Sequence, residues 1–502
     1  MNSENTNLGR SHKQLFFNTL AFVICFAVWM LNGVLVTYLV DNGAFDWTSS
    51  QVGWLLGIPV LTGSIMRLPA GILCDKFGGK WVFVSLFVLA AIPLFLMYYV
   101  DSYFGYALLS FGFGISGSGF AVAIANTSVW YPKKNQGLAL GIVGAGNAGA
   151  AITTMFAPSI LNNLTNNGQD IEQWRLLPVS YGVVLVFLAL VFALFTHNKK
   201  TTAAKRSMAK VLAPLKNIRV WRFGLYYFLV FGCFVAFAQW LVPYYVNVYG
   251  ASLVTAGFFA SLFSFPSGAI RALGGWMSDR WGARKVMYWV LGSSLVLSLM
   301  LVVPKMAIIS PGQGVQASVE GTVNFVSDSL IVVDETPYLI KENKYNFLEE
   351  SPEHFILPQK DAWQDPVVKI GEHVKKKQLL AKGTTRIVFQ ANMWVFTVLV
   401  VLIGIIWGIG KAAVYKHIPE YFPNEVGVVG GMVGVIGGLG GFVCPIVFGY
   451  LLQGTGLWTS SWMLMLLISA IALWWMNSVI NKMMRERDPM LNKQIETKSE
   501  TH

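Results

Sequence analysis

Apolar stretches of about twenty residues recur along this chain, each long enough to cross roughly 30 Å of hydrocarbon as a helix. Twelve are read, at 14–40, 50–73, 81–100, 103–129, 136–163, 176–196, 222–248, 253–276, 286–304, 394–418, 427–453 and 459–481. The first is too long, and lacks the small-residue cleavage site, to be a removable signal peptide. The pattern predicts an all-α polytopic membrane protein. One block departs from it. Residues 305–390 are polar, with acidic and basic side chains in near balance, and short runs such as Thr322–Val326, Leu330–Val333 and Ile387–Phe389 have strand composition.

An internal repeat explains where that block came from. Arg67-Leu-Pro-Ala-Gly-Ile-Leu-Cys-Asp75 returns as Arg271-Ala-Leu-Gly-Gly-Trp-Met-Ser-Asp279, 204 residues later, whereas Gly137, Gly141 and Gly144 return as Gly427, Gly431 and Gly434, 290 residues later. The offset grows by 86 residues between the two matches, so a segment of that length interrupts the second copy. The chain then divides into a tail (1–13), a six-helix half (14–196), a basic linker (197–221), three helices (222–304), a β-rich insertion (305–390), three more helices (391–481) and a second tail (482–502). Twelve spans thus form two pseudo-symmetric six-helix halves.

Composition agrees with immersion in a bilayer: 55% of residues are hydrophobic and only 12% charged, too few to cover a soluble protein of this size. The net charge of +12 would suit a nucleic-acid partner if it formed a patch, but it does not. Lysines and arginines gather in alternate connections: at Lys76 and Lys80, Lys133 and Lys134, between Lys199 and Arg222, at Arg280, Arg284 and Lys285, and at Lys482, Arg485 and Arg487. By the positive-inside rule both tails and the long linker face the cytoplasm, and the insertion lies outside. No nucleic-acid partner is expected. Cys25, Cys74, Cys233 and Cys444 lie in or at the ends of spans without metal-ligand spacing, so they read as packing residues, and no metal or cofactor is expected.

The candidate chemistry lies in two charges. Arg67 and Arg271 each precede a helix-terminal aspartate by eight residues, about 12 Å of helix and so near mid-membrane. A guanidinium at that depth costs at least about 2.5 kcal/mol. No Asp or Glu falls inside any of the twelve spans to pair with either, since Asp41, Asp46, Asp101, Glu420 and Glu425 stand at ends or in loops. The missing counter-ion is read as the cargo. A planar fork of donors suits a flat oxyanion, and two forks on opposed halves suit a small one between them. Gly144-Ala-Gly146-Asn147-Ala-Gly149 matches a dinucleotide-binding pattern, but it sits inside an apolar span rather than after a strand, so it is read as helix packing, with Asn147 as a buried amide that needs partners. Lys411 stands twelve residues before Pro423, again near mid-span. It is either a snorkelling side chain or a third, titratable charge for coupling.

Twelve spans in two halves, a basic central loop and the signature Gly71-Ile-Leu-Cys-Asp75-Lys-Phe-Gly78-Gly79-Lys80 resemble the major facilitator superfamily. The paired runs Gly141–Gly149 and Gly430–Phe442, with arginines at matching places in spans two and eight, resemble the nitrate/nitrite porters of the NarK/NasA type. The resemblance implies rocking of the halves about a midplane site, with Asp75 and Asp279 in the conformational gate, in a bacterial inner membrane. It implies that Arg67 and Arg271 clamp the anion beside Asn147 and the backbones of Gly144, Gly146, Gly434 and Gly437. By the same resemblance Tyr227 contacts the anion, and Phe120 and Phe231 line the site. Lys411 departs from the small or amide residues of the family pattern.

Exchange of nitrate for nitrite is the expected cycle, since no buried carboxylate offers a proton relay; nitrate-proton symport stays open through Lys411. The competing readings are a carrier of a small organic anion such as formate or oxalate, and a transporter-like receptor or assembly module with 305–390 as its docking element. Within that block Val368–Ala381 resembles a strand-turn-strand of a biotinyl/lipoyl barrel-sandwich, without an attachment lysine. No catalytic set appears, and His354, His373 and His417 lie in or beside loops, so the chain is not expected to be an enzyme.

Overall fold

In lipid every backbone N–H and C=O must be satisfied within the chain, so the apolar stretches become helices. The structure, a computed structural model, describes residues 2–131, 133–200, 213–303, 306–343, 359–389, 392–422 and 426–487. Parts of the predicted linker (201–212), insertion (344–358) and C-terminal tail (488–502) lie outside the described residues, as do Pro423, Glu425 and His354.

Eleven helices among the described residues are long and apolar enough to cross a membrane: Gly9–Asp41, Ser49–Phe77, Gly79–Tyr99, Tyr103–Trp130, Ala139–Leu164, Ile171–Phe195, Ile218–Tyr249, Ala283–Leu301, Met393–Tyr421, Val428–Thr455 and Ser460–Met483. A twelfth, eighth in chain order, is broken into Leu253–Ala269 and Arg271–Trp281, bent by 43°. Hydropathy does not reveal that break. It falls four residues after Pro266, at Ile270, whose dihedrals are φ −69°, ψ −10°. The second span repeats it, with pieces Ser49–Ile65 and Arg67–Phe77 joined at Met66, also φ −69°, ψ −10°. Each boundary of the eighth span is that of the second shifted by 204 residues. Sequence repeat and structural repeat coincide.

Irregular backbone is concentrated in the spans that face the centre. The first span is interrupted at Met30–Leu31, the fourth tightens to a 3₁₀ turn at Gly114–Ser118, and the fifth does so at Ala145–Ala148. The seventh widens into a π-helical turn at Phe228–Cys233. Such departures concentrate where a helix is adapted to a site. Spans nine and twelve are uninterrupted, as is span six beyond its opening 3₁₀ turn, and all three turn apolar faces outward, as with Phe187, Leu190 and Leu194, with Val296 and Leu299, and with Leu467 and Trp474. Those faces suit lipid.

The halves meet through backbone-to-backbone contacts that only glycine allows. A Cβ on Gly53 would strike the Pro445 carbonyl, and one on Gly257 the Thr154 carbonyl. These contacts join spans two to eleven and eight to five. Gln239 of the seventh span donates to the Leu56 carbonyl of the second at 3.3 Å. All three contacts lie between the arginine level and the helix ends remote from Asp75 and Asp279.

Residues Val303–Phe396 form a separate compact unit. Its strands are β1 (Met306–Gln316), β2 (Gly321–Val326), β3 (Leu330–Val333), β4 (Thr336–Leu339), β5 (Gln359–Pro366), β6 (His373–Val374) and β7 (Leu379–Phe389). They form an antiparallel sheet ordered β1-β7-β5 and a second ordered β4-β3-β2-β6. Val323, Ile331, Val333, Val374, Leu380 and Ala381 supply its fully buried core. The β-rich character is as read from the sequence, but the barrel-sandwich resemblance is corrected. Val368–Ala381 is not a paired hairpin: His373 and Val374 join β2, whereas Leu379 onward joins the long ladder with β1, whose sheet stays open.

Candidate anion-binding site

Each broken span delivers its arginine at the break, as the first residue of the second piece. Arg67 is buried, 5% exposed. Its Nη1 donates to the Gly434 carbonyl at 2.9 Å, while Nε and Nη2 are buried without a hydrogen-bond partner. The guanidinium carbon stands 5.5 Å from the Trp29 ring centroid, 5.4 Å from Phe120 and 4.9 Å from Phe231. Desolvated cation–π contacts contribute about 2 kcal/mol each, so three rings offset much of the burial cost without using a hydrogen-bonding atom. The donors are left idle, and an idle buried donor costs about 1–3 kcal/mol. A site kept in that state is suited to a ligand with oxygen acceptors.

Arg271 is half-buried, its Nη1 likewise buried and without a partner. Its guanidinium carbon lies 5.8 Å from the Phe120 centroid, the ring that Arg67 also faces, and 5.7 Å from Tyr415. The supports cross over between halves. Gly144, in the first half, is flush against Arg271: a Cβ there would stand 3.4 Å from its Cδ. Gly434, in the second half, is flush against Arg67 and Tyr415, and a Cβ there would stand 3.0 Å from the Tyr415 hydroxyl. Among the described residues no carboxylate pairs with either arginine.

The other predicted residues divide into two groups. Asn147 is fully buried in the 3₁₀ turn of span five, and both ends of its amide lack a partner. Its backbone packs on Gly268, three residues before Arg271. Tyr227 stacks on Phe231 at 4.9 Å and 7° and meets Tyr415 edge-on at 5.0 Å, its hydroxyl buried without a partner. Phe120, Phe231, Asn147, Tyr227, Gly144 and Gly434 therefore gather around the two arginines or their immediate supports. Gly146 and Gly437 instead admit neighbouring rings, those of Phe22 and Tyr227. Asp75 and Asp279 are exposed at the far ends of the second helix pieces, where Asp279 pairs with Lys416 at 2.5 Å.

Lys411 does not snorkel. It is fully buried, its Nζ donating to the Ser267 hydroxyl at 2.9 Å and standing 3.1 Å from the Phe234 centroid. Four residues missed in the sequence complete the surroundings: Trp29, Ser64, Ser267 and Tyr415. Three of them were within reach of helical spacing. Ser64 precedes Arg67 by three positions, Ser267 precedes Arg271 by four, and Tyr415 follows Lys411 by four, so each shares a face with a flagged cation. Nothing in the sequence singled out Trp29.

The family model of the Major Facilitator Superfamily matches residues 17–327 and 379–498, leaving most of the insertion unmatched. A Thermus thermophilus protein described as "Probable nitrate/nitrite antiporter NarK1" is 35% identical over 97% of this chain and 95% of its own length. The "Nitrite extrusion protein" of Bacillus subtilis is 25% identical over 89% of each chain. The "Probable nitrate transporter NarT" of Staphylococcus aureus is 26% identical over 93% of this chain and 96% of its own. Among solved structures, an inward-facing bacterial homologue of the lysosomal transporter Spinster aligns with a TM-score of 0.59 at 13% identity, over 92% of this chain and 96% of its own. The nucleoside transporter NupG does so with 0.57 at 13%, over 93% and 99%.

Proposed function

The chain belongs to the Major Facilitator Superfamily, and from that premise we propose that it exchanges nitrate and nitrite across a membrane by alternating access, with Arg67 and Arg271 as its anion clamp. One observation carries the reading. Two arginines from opposite halves face one aromatic ring, each with a buried donor left unpartnered and, among the described residues, no carboxylate paired with it. A planar anion placed there would accept from both forks, and the lining of Phe120, Phe231, Tyr227 and Asn147 would add no charge of its own. The names of the curated relatives support nitrate and nitrite as that anion.

The clustered lysines and arginines of alternate connections favour a cytoplasmic location for the Asp75 and Asp279 ends, and the membrane is then a bacterial inner membrane. With the halves packed tightly on the opposite side, the state described is closed outward. Its return stroke needs the Gly53–Pro445 and Gly257–Thr154 contacts to part, with Asp75 and Asp279 in the gate that forms at the other end. Exchange follows if the loaded site crosses more readily than an empty one holding unpaired buried charge. The 305–390 block is read as an attachment outside the transport cycle, available to a protein partner.

The test is uptake of labelled nitrate into proteoliposomes preloaded with nitrite, nitrate, formate, oxalate or nothing. Nitrite and nitrate inside should drive uptake, and external nitrate should compete with nitrite. Equal drive by formate or oxalate would move the reading to an organic-anion carrier.

A further inference from the structure

The two arginines are symmetry mates, but the site is not symmetric. By the 290-residue offset, Lys411 in span ten corresponds to Ala121 in span four, so only the second half adds this third cation. The side-chain nitrogen of Lys411 contacts neutral groups, a serine hydroxyl and a phenylalanine ring. Its Nζ donates to Ser267, one turn before Arg271 and on the same span as the hinge, and lies against the Phe234 ring. It also stands 5.9 Å from the Phe231 centroid, on the ring that carries Arg67 at 4.9 Å. Lys411 is therefore linked through Ser267 to the span that carries Arg271 and lies beside the Phe231 ring that Arg67 faces.

Resting on the reading of the site as a nitrate/nitrite clamp, we propose that Lys411 is the site's proton-carrying residue, binding a proton as an anion enters and releasing it as the anion leaves. Of the three cations, lysine alone can give up its proton, because guanidinium keeps its own at any working pH. The step balances without a further reactant. On the open side, Lys411 amine, hydronium and nitrate become Lys411 ammonium, bound nitrate and water; on the other side the same reaction runs backward. With Lys411 neutral the empty site holds two fixed charges, and the loaded site gains one positive and one negative charge together. The net charge of the carrier is then the same empty and loaded. A proton travelling with the anion permits net uptake as well as exchange.

The charged and titratable groups that face Lys411 are few. They are Arg271 of span eight, Arg67 of span two across Phe231, Tyr227 of span seven behind the same ring, and Tyr415 one turn along its own helix. Arginines and tyrosines hold their protons through the neutral range. No carboxylate among the described residues forms an ion pair with it.

The experiment measures nitrate KM for exchange between pH 6 and pH 8.5 in the full-length protein and in K411M and K411R. Thermal stabilisation by nitrate is measured in parallel as a binding readout. Uptake of one proton with the anion gives the wild type a KM that rises with pH by up to about tenfold per unit. K411R, with a fixed charge, and K411M, with none, should both be flat, and neither should acidify the lumen during net nitrate uptake. A wild-type slope that persists in K411M or K411R overturns the proposal, as does a wild type with no slope. If a variant does not transport, the pH dependence of its nitrate stabilisation decides in the same two ways. Absence of nitrate transport in the wild type would instead sink the reading of the site.

Discussion

Replacing Arg67 by lysine keeps the charge and removes the fork, so it isolates what the guanidinium geometry contributes. In the structure Arg67 spends only Nη1 on protein, at the Gly434 carbonyl, and leaves Nε and Nη2 without a partner. A bidentate grip through those two nitrogens makes two charge-assisted hydrogen bonds of about 1.5–3 kcal/mol each. Lysine recovers one of them at best, so the net loss is about 1.5–3 kcal/mol, or roughly 10- to 150-fold in anion affinity. The shorter ammonium also stands differently against the rings of Trp29, Phe120 and Phe231 that surround the guanidinium, which places the loss toward the upper end. The assay is exchange of labelled external nitrate against internal nitrite across a range of nitrate concentrations, with nitrate-dependent thermal stabilisation as an equilibrium check. Arg271→Lys should show a loss of the same order. A KM within about threefold of wild type for both variants, with the protein correctly inserted, would refute the clamp.

Other outcomes follow from the same geometry. Gly434→Ala should raise KM more than Gly144→Ala, since its Cβ would stand 3.0 Å from the Tyr415 hydroxyl, against 3.4 Å from a flexible arginine carbon in the other case. Equal KM values for the two would speak against the contact order. Gly53→Ala pushes a methyl into the Pro445 carbonyl, an overpacking that costs about 1–3 kcal/mol in this closed state. Cysteines placed on the remote ends of spans two and eleven should then react faster with a membrane-impermeant thiol reagent, and unchanged labelling would count against closure at that contact. Asp279→Asn releases Lys416 from an exposed ion pair worth no more than about 1 kcal/mol, so thermal stability should hardly move while exchange velocity changes. A large fall in melting temperature would mean the pair is structural. Excision of 305–390, replaced by a short glycine-serine linker, should leave nitrate exchange intact in proteoliposomes; loss of exchange in correctly inserted protein would make the block part of the machine.

What the sequence disclosed depended on whether a feature leaves a compositional trace. Spans are legible because burying a helix in lipid demands an unbroken apolar run, and the twelve stretches recur as eleven helices and a bent pair. Arg67 and Arg271 were legible because a charge in such a run is costly and conspicuous. The breaks beside them were not, because Met66 and Ile270 are ordinary apolar residues whose dihedrals are set by tertiary fit. Trp29 and Tyr415 were equally hidden, since an aromatic residue in a membrane helix is expected everywhere. The topology of the insertion escaped for another reason. Val368–Ala381 has the local composition of a hairpin, and only long-range pairing with β1 and β2 sends its two arms to different sheets.

The crossing of supports at Gly144 and Gly434 has a consequence for taking the molecule apart. Each six-helix half owns one arginine, but part of the surface that seats it belongs to the other half. Two chains cut within the 197–221 linker would each carry half a lock, and only their assembly would create a place for the anion. Such a split pair is an association reporter in waiting, with ligand serving as the molecular glue between otherwise separate membrane bundles.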